Sequence, residues 1–247
     1  MLDSATSSYT SRLPRADMDA LALYAAKATW PAGFVVYQRG AAADGVFVVV
    51  HGRIVLRSRV KAGRAFVPTV ACVGETFGAE GLSSSARYAT DARADEESET
   101  LHLSGARFRA FLRERPQHAL ALVGQIVVER TSLLDKLREL ATLSVEQRLI
   151  TTLLRMARSQ TFIAADGRIT LGPAQYRLLC ELVGATRESV SLVLGRLVAE
   201  GVAEREGTSI IMAPTSTLAG RLEPAWVDGD GPLTLAEHGD VHGGLPA

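Results

Sequence analysis

The stretch from Gly184 to Gly201, GATRESVSLVLGRLVAEG, carries the most suggestive polar spacing in the chain. Val190, Val193, Leu194, Leu197 and Val198 recur at steps of three and four, the stripe of a helix packed on a core. The first turns of the opposite face gather Thr186, Arg187, Glu188 and Ser191. A guanidinium, a carboxylate and two hydroxyls offer directional donors and acceptors. This edge is therefore either a solvated helix end, where an exposed Arg-Glu pair contributes little, or a surface that reads a polar partner. A second polar group stands in GETFGAEGLSSSARYA, where Glu80 and Arg87 lie among glycines and serines.

Catalytic signatures are missing from the sequence: it has no Gly-rich phosphate loop with Lys, no nucleophile elbow and no paired catalytic carboxylates. Cys72 and Cys180 are the only cysteines, and the five histidines show neither HExxH nor His-x-His spacing, so no metal site is expected. Cys180 falls inside a helical pattern and is assigned a packing role. The chain is not expected to be an enzyme.

The elements that must position these groups follow in order. Residues 1–16 read as a leader, and DMDALALYAAKA, residues 17–28, as a short helix. Between Gly33 and Leu103 the chain breaks into short β-prone runs (FVVYQ, GVFVVV, RIVLRSRV, FVPTVACV, ETLHLS) punctuated by glycine, which predicts a jelly roll within residues 17–115. Residues 116–143 predict one helix about 40 Å long. In it Val123, Ile126, Arg130, Leu133, Leu137 and Leu140 form an a/d seam, which serves either dimerisation or cover for the sheet of the same chain.

TLSVEQRL restarts the chain at Ser144 with capping-box spacing to Gln147. A second domain over residues 144–214 follows: helix, a hairpin at Asp166-Gly167, a helix opened by Pro173, a tight turn at Gly184, the 184–201 helix and a two-stranded wing around Glu206-Gly207. Residues 215–247 are expected to be a disordered acidic tail. Formal charge is zero overall, yet residues 1–143 carry 18 basic against 15 acidic groups, residues 144–214 carry 8 against 7, and the tail 1 against 5. The acidic tail thus masks a mildly basic body. No run reaches the length of a membrane span and no signal peptide precedes the fold, so the expected location is the cytoplasm.

Jelly roll, long helix and winged helix-turn-helix in this order, with AGFVVYQRG, DGVFVVVHGRI, GETFGAEGLSSSARYA and VGATRESVSLVLGRL, resemble the Crp/Fnr superfamily of bacterial transcription regulators over residues 20–213. The resemblance implies an α+β chain: an N-terminal β jelly roll like a cyclic-nucleotide-binding domain, a dimerisation helix and a C-terminal winged helix-turn-helix. It further implies a homodimer that binds double-stranded DNA at a near-palindromic site as activator or repressor and contacts RNA polymerase. By position, Arg187, Glu188, Ser191 and Leu192 correspond to base-reading residues, and Thr186, Tyr176, Arg177 and Arg196 to phosphate contacts.

Gly78, Glu80, Arg87 and Tyr88 correspond to the ligand pocket. The cassette departs from relatives that bind cyclic AMP. Ala79 stands where they carry the ribose-binding Glu, Glu80 comes one residue late, Tyr88 follows the phosphate-position Arg87, and Leu133 and Leu134 replace adenine-facing hydroxyls. Arg87 thus either holds a phosphate or pairs with a nearby carboxylate such as Asp91 or Glu80. No cofactor is expected and cyclic AMP is disfavoured: the sensor domain either binds another small ligand or binds nothing and dimerises permanently. The alternative reading is a cyclic-nucleotide-binding signalling module acting through protein contacts.

Overall fold

The computed structural model describes residues 12–59, 65–83, 85–158 and 168–222. Two four-stranded antiparallel sheets form the N-terminal half. Strands β1 (Ala26–Trp30), β8 (Ser98–Ser104), β3 (Gly45–His51) and β6 (Thr76–Phe77) make one, in that order. Strands β2 (Val35–Tyr37), β7 (Asp91–Ala94), β4 (Ile54–Arg59) and β5 (Ala65–Ala71) make the other. Tyr37, Phe47, Val49, Ile54, Leu56, Phe77 and Tyr88 fill the space between them.

Strand β3 reads as a continuous apolar run because it is buried on both faces. Phe47 and Val49 point between the sheets, and Val46 and Val48 point outward. The outward pair is covered by Leu21 of helix α1 (Arg15–Ala22) and by Phe108 and Phe111 of helix α2 (Gly105–Glu114). This second layer decides the jelly roll's shape, since an apolar sheet face must be covered by another element.

Helix α3 (Gln117–Thr142) matches the expected long helix, and α4 (Val145–Arg158) restarts after Leu143. The capping box forms as read: Ser144 N donates to Gln147 Oε1 at 2.9 Å and Gln147 N donates to Ser144 Oγ at 3.2 Å. The C-terminal half continues with β9 (Thr170–Leu171), α5 (Pro173–Val183), α6 (Arg187–Ala199), β10 (Ala203–Glu206), β11 (Ser209–Met212) and α7 (Thr215–Ala219). Its core joins Leu149, Leu153, Leu179, Val190, Leu194, Leu197 and Met212.

Three expectations need correction. The first helix ends at Ala22, and the last three residues read as helical, 26–28, open β1, because β8 offers a full antiparallel register from Ala26–His102 to Trp30–Ser98. Part of the supposed leader is folded: Leu13 is buried and its N–H donates to Gly74 O at 2.7 Å. The tail begins with α7, whose Leu218, with Leu222 beyond it, joins the C-terminal core. Arg221 ties that segment to Glu146 at 3.0 Å and Glu200 at 2.6 Å. The Asp166-Gly167 turn and residues 223–247 lie outside the described residues.

Candidate nucleic-acid interface

Helices α5 and α6 meet at a turn that needs glycine. Gly184 ends α5 with φ of 66°, the left-handed region closed at low cost only to glycine, and its N–H donates to Cys180 O. Thr186 then caps α6, its Oγ1 accepting from Ser189 N at 3.2 Å. Such a cap stabilises a helix by about 1 kcal/mol. Val190, Val193, Leu194 and Leu197 bury the inner stripe, so the outer edge is fixed in rotation. Arg187, Glu188, Ser191 and Leu192 all lie exposed on that edge, Leu192 with 74% of its surface free.

The first turn is held by its surroundings. Thr186 and the backbone N–H of Glu188 pull the Glu188 carboxyl below the usual carboxylate range, the backbone N–H having the larger effect. The Arg187 guanidinium lies 5.6 Å from the centre of the Tyr176 ring, and the Tyr176 hydroxyl donates to Arg187 O at 3.4 Å. Tyr176, expected at a phosphate, therefore supports the guanidinium from below. The wing, β10 and β11 turning at Gly207, closes a cleft of about 500 Å³ against α6, lined by Arg187, Glu188, Ser191 and Arg205. Arg205 escaped the sequence reading because only the folded wing brings it beside the reading edge.

Arg196 is placed differently from its expected role. It pairs with Glu146 at 3.2 Å, in the same carboxylate network that receives Arg221, and so is engaged with α4 instead of being held for phosphate. Arg177 is exposed at the seam between α5 and the second sheet, lining a cleft with Arg57, Arg93 and Asp95. Cys180 is buried in the domain core, and burial raises its thiol above the ordinary value.

In the jelly roll, Gly78 adopts φ of 72°, and a Cβ there would come within 3.2 Å of both Phe47 and Tyr88. Tyr88 points inward, only 3% exposed, stacked on Tyr37 with ring centres 3.7 Å apart. Its hydroxyl donates to Asp44 Oδ1 at 2.8 Å. Burial pushes the phenols of Tyr37 and Tyr88 well above the tyrosine range, so both stay neutral donors. Arg87 is exposed and donates to Gly40 O at 2.6 Å, while Glu80 Oε1 accepts from Ala89 N at 3.0 Å. The remaining space, about 420 Å³, opens beside β1 and is lined by Trp30, Tyr37, Phe47, Tyr88 and His102; Gly78, Glu80 and Arg87 do not line it.

Two family models match this arrangement: the cyclic nucleotide-binding domain over residues 27–115 and the Crp-like helix-turn-helix domain over residues 147–219. The chain belongs to the Crp/Fnr superfamily. It is 24% identical over 195 residues to a CRP-like cAMP-activated global transcriptional regulator of Mycobacterium tuberculosis, covering 78% of this chain and 86% of the relative. It is 20% identical over 184 residues to the cAMP-activated global transcriptional regulator CRP of Haemophilus influenzae, covering 74% and 82%. In fold it resembles the c-di-GMP responsive global regulator CLP of Xanthomonas campestris, with a TM-score of 0.73 at 20% identity over 82% of this chain and 100% of that one. This Crp/Fnr member is thus a transcription regulator with a helix-turn-helix DNA-binding domain, and the matched families and relatives are regulators, not enzymes.

The long helix of this Crp/Fnr chain is turned apolar side out. Ile126, Val127, Leu133, Leu134 and Leu137 are exposed, Leu137 at 61%, and Arg130 is exposed among them. Leu140 is half-buried where the helix approaches Gly184; the Val123 side chain lies outside the described residues. Asp135, Lys136 and Glu139 face inward instead. Glu139 pairs with Arg155 of α4 through both carboxylate oxygens, and Lys136 Nζ lies 3.8 Å from Glu139. Nearer the cassette, burial raises the Glu129 carboxyl above the usual range, with the charges of Glu80 and Glu75 adding to the effect.

Proposed function

We propose that the protein is a homodimeric, sequence-specific DNA-binding regulator that works in the cytoplasm without cyclic AMP. The observation that carries this reading is the exposed edge of Arg187, Glu188, Ser191 and Leu192, locked in rotation by the buried stripe of α6 and flanked by the wing. Inserted in a major groove, Arg187 can donate two hydrogen bonds to guanine, Glu188 can accept from cytosine, Ser191 can do either, and Leu192 can touch a thymine methyl. Thr186 and Arg177 are assigned to phosphates, and Tyr176 to the support of Arg187.

The outward apolar face of α3 supports pairing with a second copy. An exposed stripe of Ile126, Leu133 and Leu137 beside inward Asp135 and Glu139 is reversed from what a lone helix in water would choose. Two reading helices then address half-sites about one helical turn apart, and the bound dimer would meet RNA polymerase at the promoter. Independence from cyclic AMP is supported by Tyr88 occupying the cassette interior and by the engagement of Arg87 and Glu80 with backbone groups.

Selection of bound sites from random DNA, with and without added cyclic AMP, tests the reading. A near-palindromic site with half-sites roughly 10 base pairs apart is expected, the same in both pools. Sites recovered only with cyclic AMP, or a single half-site, would overturn the corresponding part. Leu137→Arg should turn the dimer into monomer in sedimentation and remove two-fold symmetric binding.

A further inference from the structure

Strand β8 is paired on both sides, yet the face it turns between the sheets is polar. Leu101 and Leu103 join the outer cluster under α1 and α2, so Ser98, Thr100 and His102 point inward. Two of the three are satisfied: Ser98 Oγ accepts from Arg53 N at 3.1 Å, and Thr100 Oγ1 accepts from Trp30 Nε1 at 2.9 Å. His102 is the exception. Its ring stacks on Phe47 with centres 4.5 Å apart, in room left by Gly45, where a Cβ would collide with Nε2. That Nε2 is buried without a hydrogen-bond partner. The nearest acid, Asp44, holds Oδ1 3.6 Å away, too far for a hydrogen bond.

Both groups line the space of about 420 Å³ between the edge strands β1 and β2, a volume that suits a small molecule. Ala26 and Ala28 of β1, with Ala41 and Ala42, leave it open, and Trp30, Tyr37 and Phe47 give it aromatic walls. The hydrogen bond to Thr100 fixes the indole of Trp30 in that wall. A void left by imperfect packing is apolar and stays dry, whereas this one brings together a carboxylate and an unpartnered imidazole nitrogen. Among the described residues no Lys or Arg lines it, so a phosphate or carboxylate would meet Asp44 with no fixed cation to offset it. An ammonium group fits on each count. It carries three N–H donors for Asp44 and His102, opposes the Asp44 charge, and is attracted to aromatic faces.

We propose that this space is a binding site for a small protonated amine with an aromatic body. The ammonium bridges Asp44 Oδ1 and His102 Nε2, and the ring lies along the Trp30 and Phe47 wall. The site is separate from the cassette, because Gly78, Glu80 and Arg87 do not line it, and its charge preference is opposite to that of a cyclic nucleotide. Tyr88 supports it from behind: its hydroxyl donates to Asp44 Oδ1 at 2.8 Å and so holds the carboxylate at the opening, where 72% of that side chain is exposed. None of these features depends on DNA binding, and the site stands or falls apart from that reading.

Phenethylammonium, 2-phenylethanol and phenylacetate carry the same ring on short chains and differ in charge, so calorimetry of each against the full-length protein separates charge recognition from apolar trapping. The amine is expected to bind with Kd below about 1 mM, at least roughly 10-fold tighter than the alcohol, and the acid not to bind. Asp44→Asn keeps the shape of an exposed side chain and removes its charge; it should weaken the amine roughly 10-fold or more while leaving the alcohol unchanged. Ala28→Leu fills the space and should abolish binding of both, with urea unfolding of each variant confirming that it is folded. No binding of the amine overturns the site. Binding of the acid or the alcohol as tight as that of the amine, or an unchanged affinity in Asp44→Asn, overturns the charge preference, and an unchanged affinity in folded Ala28→Leu overturns the location.

Discussion

Helix α6 and the sensor cassette each gather an arginine, a glutamate and hydroxyl-bearing residues, yet the fold turns them opposite ways. Thr186, Arg187 and Glu188 stand on an exposed edge whose inner stripe is saturated with Val190, Leu194 and Leu197. In the cassette it is the polar-tipped residue, Tyr88, that supplies the core, stacked on Tyr37, while Arg87 and Glu80 satisfy backbone groups. A polar motif offers a site only when other residues provide the core beneath it. The C-terminal half has that division of labour, and Tyr88 does not share it.

Tyr88→Ala is the strongest way to break this contrast. Truncating a buried aromatic ring costs about 3 to 5 kcal/mol, so urea unfolding of the variant should shift by that amount. A shift below about 1 kcal/mol would mean that Tyr88 lines a site rather than a core. The joint between the two regions gives the next largest effect. Burial, with Arg155 and Arg148 nearby, lowers the Lys136 ammonium to about 8. The native state therefore pays a penalty for the charged form that is complete below pH 8 and fades as pH rises toward the unfolded value near 10.5. Lys136→Met should raise stability at pH 7 by roughly 2 to 3 kcal/mol and flatten the rise between pH 8 and 10.5. An equal pH slope in both proteins would show that Lys136 is not its source.

Local signals carried most of the architecture. The turn at Gly184, the Ser144–Gln147 capping box, the wing at Gly207 and β3 through β5 are legible because each is set by residues within a few positions of one another. Strand β1 was not: AKATW is neutral in its own preferences and becomes a strand only because the edge of β8 is open to it. The same holds for α7, whose Leu218 shares a core cluster with Leu149 and Leu153, 65 to 69 residues upstream. At the candidate interface Arg187, Glu188 and Ser191 follow from helix periodicity, and Leu192 from the resemblance to the family. The support of Arg187 by Tyr176, the arrival of Arg205 and the engagement of Arg196 with Glu146 depend on contacts between elements, which spacing does not encode.

Two arginines sharpen the contrast at the smaller end of the scale. Arg187→Ala should cost roughly 1 to 3 kcal/mol of specific DNA binding and relax one base position in a repeat of the selection, with little change in unfolding. Equal losses on the selected site and on random DNA would make Arg187 a phosphate contact. Arg87→Ala is expected to do less than either. Its guanidinium is exposed and bonded to one carbonyl, Gly40 O, so unfolding should move by no more than about 0.5 kcal/mol and DNA binding should stay put. A regulator that still used the cassette would behave otherwise: removing the group at the phosphate position would abolish any ligand-dependent rise in DNA binding while leaving stability intact. Neutrality of Arg87→Ala in both measurements, set beside a large loss for Tyr88→Ala, places the weight of the cassette on the ring that fills it and none on the charge at its rim.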